Sequence, residues 1–293
     1  MDCSSLRKHG TRTSALRVAL SLCLALSLYG AMGQQTKSSV QTPCSQSHVL
    51  IDGNRIWVNL EGQGDTTVVF EAGFGNDSSV WTQVASEVRK SGVRTFVYDR
   101  AGMGKSTLKT DTSYSVRNDV HILRTALQNC GITRRIVFVG HSYGGAIGLF
   151  AASQDSHILG LVLVDAVVPG VWSDEEVQRN LQAMRPQYDA IRTQAPELAK
   201  VAIPFAEAMP ANAKAINAMP VSETLPIIEI VAEHGQQDPQ SQQAWHEAQK
   251  RFTAGHPSRE YVFASGSSHH VMADRPELVV QSIRKMLDTV KTR

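Results

Sequence analysis

Ser142, His269 and a choice of two aspartates are the side chains of this sequence whose types and settings suit covalent chemistry. Ser142 is the centre of Gly140-His141-Ser142-Tyr143-Gly144, a G-x-S-x-G. A serine hydroxyl is a weak nucleophile until a base takes its proton. The base needs a carboxylate to orient it, and the oxyanion that forms needs fixed donors. His269 is the preferred base, in the turn Gly266-Ser267-Ser268-His269-His270 directly after the last strand-like run, with His270 as the alternative. Of the two candidate acids, Asp165 ends the strand-like run that follows the helix after Ser142, and it is preferred. Asp238 lies several residues beyond the next such run, in Gly235-Gln236-Gln237-Asp238-Pro239. The candidate oxyanion donors are backbone N–H groups, of Tyr143 after the serine and of Phe74 in Gly73-Phe74-Gly75. The order serine, acid, histidine along the chain is the one expected of a serine set at the end of a strand in a parallel sheet. His157, His246 and His256 lie in or near helices and read as surface residues.

The elements around these residues predict how they are positioned. An apolar, β-branched run over 136–139 stops at Gly140, and small residues followed by an apolar stretch continue as a helix. A serine on so sharp a strand-to-helix turn is lifted above the sheet, and small neighbours let strand and helix approach closely. Further strands are expected over 48–51, 55–60, 66–70, 94–98, 159–164, 226–232 and 259–264. Asp52-Gly53-Asn54 supplies hairpin chemistry between the first two. Helical periodicity covers 79–90, 116–128, the stretch around Trp245 and 276–290. Strands that alternate with helices, as apolar runs buried on both faces, predict an α/β fold: a mostly parallel central sheet flanked by helices. Residues 167–223 break the alternation. They are rich in Ala, Gln, Met and Pro and hold no strand-like run, so they read as a helical lid inserted over the site.

The apolar fraction of 42% excludes a largely disordered chain. The first 33 residues hold Arg7, Lys8, Arg12 and Arg17 against Asp2, and the remainder holds 25 basic and 26 acidic residues, so no basic face points to nucleic acid. The same 33 residues read as an export signal, with a basic region, an apolar run over 18–29 and Ala31-Met32-Gly33 before a cleavage point. That run is short of the roughly 20 residues a membrane span needs, and an uncleaved anchor is the alternative. Residues 34–47 read as a polar linker and 48–293 as the folded domain. The mature chain keeps Cys44 and Cys130, whose pairing is left open. Gly104-Lys105-Ser106 looks like the end of a phosphate-binding loop, but Asp99 stands where that loop needs its first glycine. No residue spacing suits a metal, and no cofactor is implied.

Several of these motifs, in this order, resemble the α/β-hydrolase superfamily from about residue 48 to the end. Gly140-His141-Ser142-Tyr143-Gly144-Gly145 resembles its nucleophile elbow. Asp99-Arg100-Ala101-Gly102-Met103-Gly104-Lys105-Ser106 resembles its D-x-x-G-x-G-x-S loop. Ala72-Gly73-Phe74-Gly75 is similar to its oxyanion loop, with Ala72 where a histidine is common. Ser268-His269 followed by Pro276 resembles its histidine turn, with Ser268 in place of a frequent glycine. The commonest position of the acid in that superfamily would choose Asp238. A subset carries it one strand earlier, and Leu161 to Ala166 with the Trp245 helix look more like that subset. The resemblance implies a serine hydrolase acting on a small ester-like molecule; the N-terminal segment adds export, to the periplasm or the medium. Amidase, aminopeptidase or acyltransferase chemistry on the same residues is the alternative, and a non-catalytic ligand-binding relative is the rival from another class.

Overall fold

The computed structural model describes residues 44–109, 114–236 and 238–292. The export signal, and the linker up to residue 43, lie outside them. Eight strands form one sheet: β1 (Ser47–Ile51), β2 (Asn54–Gly62), β3 (Thr67–Glu71), β4 (Arg94–Tyr98), β5 (Ile136–His141), β6 (Ile158–Val164), β7 (Ile227–His234) and β8 (Arg259–Ser268). Their spatial order is β1-β2-β4-β3-β5-β6-β7-β8. β2 runs antiparallel to both neighbours, and every pair from β4 to β8 is parallel. The carboxyl ends of six strands therefore share one edge, where α/β sheets bind ligands. Residue 72, Asp99, Ser142, Asp165, Gly235 and His269 all begin segments that leave that edge.

The helices are α1 (Thr82–Arg89), α2 (Val116–Asn129), α3 (Tyr143–Ala152), α4 (Asp174–Met184), α5 (Tyr188–Gln194), α6 (Pro196–Asn217), α7 (Pro239–Thr253), α8 (Val271–Asp274) and α9 (Pro276–Val290). Alternate strand residues point to opposite faces, so the central strands feed two cores. Val137, Val139, Val162, Val164, Ile228 and Ile230 pack with α1, α8 and α9. Phe138, Leu161, Leu163, Ile227 and Val231 pack with α2, α3, α7 and the stretch between β6 and β7. That stretch consists of α4, α5 and α6 with no strand. It is tied down where Asn212 accepts the Val116 N–H at 2.9 Å and where Asn217 bonds Gly170 and Trp172.

Two boundaries differ from the sequence expectations. β8 runs on to Ser268, because Gly266 N–H and the Ser265 hydroxyl bond Glu233, extending the β7–β8 contact through residues too polar to read as strand. Residues 44–47 sit on the domain. Cys44 is buried, its carbonyl accepts the Leu60 N–H at 2.8 Å, and its sulfur is bonded to Cys130 at the end of α2. The disulfide joins positions 86 residues apart, so it constrains the unfolded chain strongly. Replacing both cysteines by serine is expected to lower stability by about 2–5 kcal/mol. An unchanged denaturant midpoint would refute that assignment of its role.

Among the described residues no helix is long and apolar enough to cross a membrane.

Candidate active site

Ser142 sits at the junction of β5 and α3 with φ 53° and ψ −124°. This is a strained conformation for a residue with a Cβ, and surrounding contacts must hold it. The close approach that permits the turn depends on two glycines. A Cβ on Gly140 would lie 2.6 Å from the Gly144 carbonyl oxygen, and one on Gly144 would lie 2.6 Å from that of Glu71. The Ser142 N–H bonds the Val164 carbonyl at 3.1 Å, and its own carbonyl accepts from Gly145 and Val167, both at 2.9 Å. Tyr143 is the first residue of α3. N–H groups in a helix's first turn have no partner inside the helix, which is what keeps that of Tyr143 a candidate oxyanion donor.

His269 and Asp165 meet at the same sheet edge. The His269 Nδ1 donates to Asp165 Oδ2 at 2.6 Å, which leaves Nε2 as the acceptor of the imidazole. Asp165 is fully buried, and its other oxygen, Oδ1, accepts the Trp245 Nε1–H at 2.9 Å and the Ala232 N–H at 3.1 Å. Three donors thus fix this carboxylate on one side of the histidine. Its backbone too is strained, with φ 42°. Asp238 plays a different part. It caps α7 by accepting the Ser241 N–H at 3.0 Å, and that bond, with the Ser241 side chain, holds its carboxyl below the usual range. His270 is exposed and caps α8, and its ring lies 6.0 Å from that of His269. Of the remaining histidines, His157 pairs with Asp155 and His256 with Glu223, whereas His246 is half-buried and bonds the Ala232 carbonyl at 2.8 Å.

Three participants escaped the sequence reading. His141 is buried, and its Nε2 donates to the His269 carbonyl at 2.9 Å, bracing the histidine's main chain against the serine turn. Burial and the adjacent His269 hold its pKa well below the ordinary value, so it stays neutral. Its place beside Ser142 was the available signal. Trp245 was visible only as part of a helix. Arg100, buried beneath the candidate oxyanion loop, donates to the carbonyls of Ala72 and Gly73 and to Glu71, fixing the loop that carries Phe74. Glu71 also accepts from the Tyr98 hydroxyl, and Asp119 accepts from the Tyr143 hydroxyl at 2.8 Å. Burial pushes Glu71 up to about 7 against the opposing pull of Arg100 and Tyr98. Burial likewise pushes Asp119 up to about 6 against Arg100 and Tyr143. The rest of the D-x-x-G-x-G-x-S loop is scaffold: Asp99 accepts the N–H groups of Ser78 and Lys105, both at 2.9 Å, and Ser106 accepts that of Trp57 at 2.8 Å.

Both oxyanion candidates carry rings that face the insertion. Phe205 of α6 stacks on Phe74 with centroids 3.8 Å apart and meets Tyr143 edge-on at 5.0 Å. Tyr114 and Trp172 complete the cluster. A cavity of about 330 Å³ lined by Trp57, Asp77, Asp99 and Lys105 includes none of Ser142, Asp165 or His269, so side-chain geometry, and not cavity size, locates this site. Among the described residues no group of three or more His, Cys, Asp or Glu side chains is placed to hold a metal ion.

Comparison with known proteins agrees with the architecture. Residues 68–282 match the model of the alpha/beta hydrolase family. The chain is 35% identical over 107 residues to the uncharacterized protein YqjL of Bacillus subtilis, covering 36% of this chain and 41% of that one. It is 36% identical over 101 residues to the putative carbamate hydrolase RutD of Pseudomonas savastanoi, covering 34% and 38%. The chain thus spans about two-fifths of the length of these curated relatives. Among solved structures, a thermophilic esterase from Thermogutta terrifontis superposes with a TM-score of 0.58 at 20% identity, covering 84% of this chain and 98% of that one. The enol-lactonase from Burkholderia xenovorans gives 0.56 at 20% identity, covering 82% and 99%. At these identities the structural likeness speaks for the fold alone. With its sheet order, its serine turn and a family match over most of its length, the chain belongs to the alpha/beta hydrolase family.

Proposed function

We propose that this protein is a serine hydrolase that cleaves small carboxylic esters through Ser142, His269 and Asp165. The observation that carries the proposal is the 2.6 Å bond from His269 to a buried carboxylate at the sheet edge where Ser142 stands on its strained turn. Ser142 Oγ attacks the ester carbonyl carbon as His269 Nε2 takes its proton, and the N–H groups of Phe74 and Tyr143 receive the oxyanion. Collapse breaks the bond to the alkoxide, which leaves with the proton from His269. Water, deprotonated by the same nitrogen, then releases the acid and restores Ser142. Asp165 keeps the imidazole in the tautomer that can accept. The insertion α4–α6 acts as a lid, and Phe205 limits the space beside the oxyanion donors. Export is part of the proposal, supported by the Cys44–Cys130 disulfide, a bond that persists in oxidising compartments.

A panel of p-nitrophenyl esters from acetyl to octanoyl, with anilide and carbamate counterparts, tests this reading. Esters are expected to turn over fastest, the acetyl ester ahead of the octanoyl, and Phe205→Ala is expected to narrow that preference. Turnover confined to anilides would move the assignment to C–N bonds, and turnover confined to carbamates would move it to the carbamoyl group, the reading that the putative carbamate hydrolases among the relatives favour.

A further inference from the structure

Behind the candidate acid, two buried side chains grip a single residue. Glu229 of β7 is opposite Leu163 of β6 in the sheet register, and Gln249 lies on α7; neither is exposed. Glu229 Oε1 accepts the Ala166 N–H at 3.3 Å, and Gln249 Nε2 donates to the Ala166 carbonyl at 2.6 Å. Ala166 directly follows Asp165. The other carboxyl oxygen, Glu229 Oε2, and the amide oxygen, Gln249 Oε1, are both buried without a partner. An amide flip would not relieve this, because it would set the Gln249 oxygen against the Ala166 carbonyl. A buried acceptor left without a donor is destabilising, because it has given up its water partners for nothing. A protonated carboxyl is a donor as well as an acceptor, so one proton on Glu229 Oε2 would supply a donor where both oxygens lack one.

We infer that Glu229 is a neutral carboxylic acid that donates from Oε2 to Gln249 Oε1, and that the pair clamps Ala166 to position Asp165 for His269. The environment favours the neutral form. Burial raises the Glu229 pKa well above the carboxylate range and the charge of Asp165 adds to it, with the Ala166 N–H opposing. The titratable groups that face it are Asp165 and, across the β7–β8 register, Tyr261; Gln249, from α7, carries no charge. The arrangement serves the chemistry in two ways. Asp165 occupies a left-handed backbone conformation, which is unfavourable for a residue with a Cβ and persists only where neighbours over-determine it. Grasping both backbone polar groups of the next residue does so. A neutral acid also supplies those bonds without a second negative charge beside Asp165, which would favour the protonated, non-basic form of His269.

The positioning role rests on the proposed Ser142–His269–Asp165 reading, whereas the protonation state is measured independently of activity. Protein carrying 13C-labelled glutamate side-chain carboxyls is compared with the same material bearing Glu229→Gln, which identifies the Glu229 resonance as the one that disappears. At about pH 7, where an ordinary glutamate is ionised, that resonance is expected at the neutral-acid position. A resonance at the ionised position at that pH would overturn the inference, even if the protein hydrolysed no ester at all. In kinetics on the best substrate, Glu229→Gln preserves both hydrogen bonds and is expected to keep kcat and the acid limb of the kcat/KM profile. An acid limb moved to lower pH would mean that a charge had been removed, against the inference. Gln249→Leu and Glu229→Met, each checked for a native melt, are expected to lower kcat by roughly tenfold or more with KM unchanged. Parent-like kcat in both would remove the positioning role and leave the protonation result standing.

Discussion

Asp165→Asn is expected to lower kcat by about 10⁴-fold while leaving the fold intact. The direction follows from the donors around the carboxylate. Oδ1 receives the Trp245 Nε1–H and the Ala232 N–H, so an asparagine must turn its oxygen to them. Its amide nitrogen then faces His269 Nδ1, where Asp165 Oδ2 stood at 2.6 Å. An NH₂ group only donates, so Nδ1 becomes the acceptor and the ring proton moves to Nε2. The imidazole can then no longer take a proton from Ser142. Asp238→Asn is the control. Asparagine caps a helix about as well as aspartate, so activity and melting temperature should both stay close to the parent. A loss in Asp238→Asn comparable to that in Asp165→Asn would reverse the assignment of the acid.

Arg100→Met is expected to cost about 3–5 kcal/mol, because it leaves a buried acid without its partner. Arg100 is almost fully buried and links Glu71 to the Ala72 and Gly73 carbonyls. Methionine fills most of the volume but returns none of those bonds. Glu71→Gln in the same chain removes the orphaned acid and should recover a substantial part of the stability. It should not recover kcat, since nothing then fixes the loop that carries the Phe74 N–H. Denaturant unfolding and ester kinetics on the single and double variants read the two effects separately. Full recovery of kcat in the double variant would show that Arg100 serves stability alone.

What the sequence made legible was whatever rests on local pattern. The apolar run before Gly140 and the small residues after Ser142 mark the turn without knowledge of any other part of the chain. The presence of the strands and of the closing helix at Pro276–Val290, with proline in its first turn, follows from periodicity. The choice between Asp165 and Asp238 was not settled by pattern, since both follow strands. It turns on which carboxylate His269 reaches across a sequence separation of 104 residues. The Cys44–Cys130 bond and the Arg100 grip on the oxyanion loop are long-range in the same sense. Glu229 was the least legible: a glutamate within an apolar strand carries no local mark of being buried, and its partners lie on a different helix and at the end of another strand. β8 was read short for the opposite reason, because its last residues are polar and are held by Glu233 rather than by burial.

Intact mass after exposure to a fluorophosphonate shows whether Ser142 is an activated nucleophile. The parent chain is expected to gain one adduct, mapped by peptide analysis to Ser142, and the folded Ser142→Ala chain none. Parent protein that takes no label while retaining a native melt, and that stays unlabelled when Phe205→Ala opens the insertion side of the site, would contradict the account.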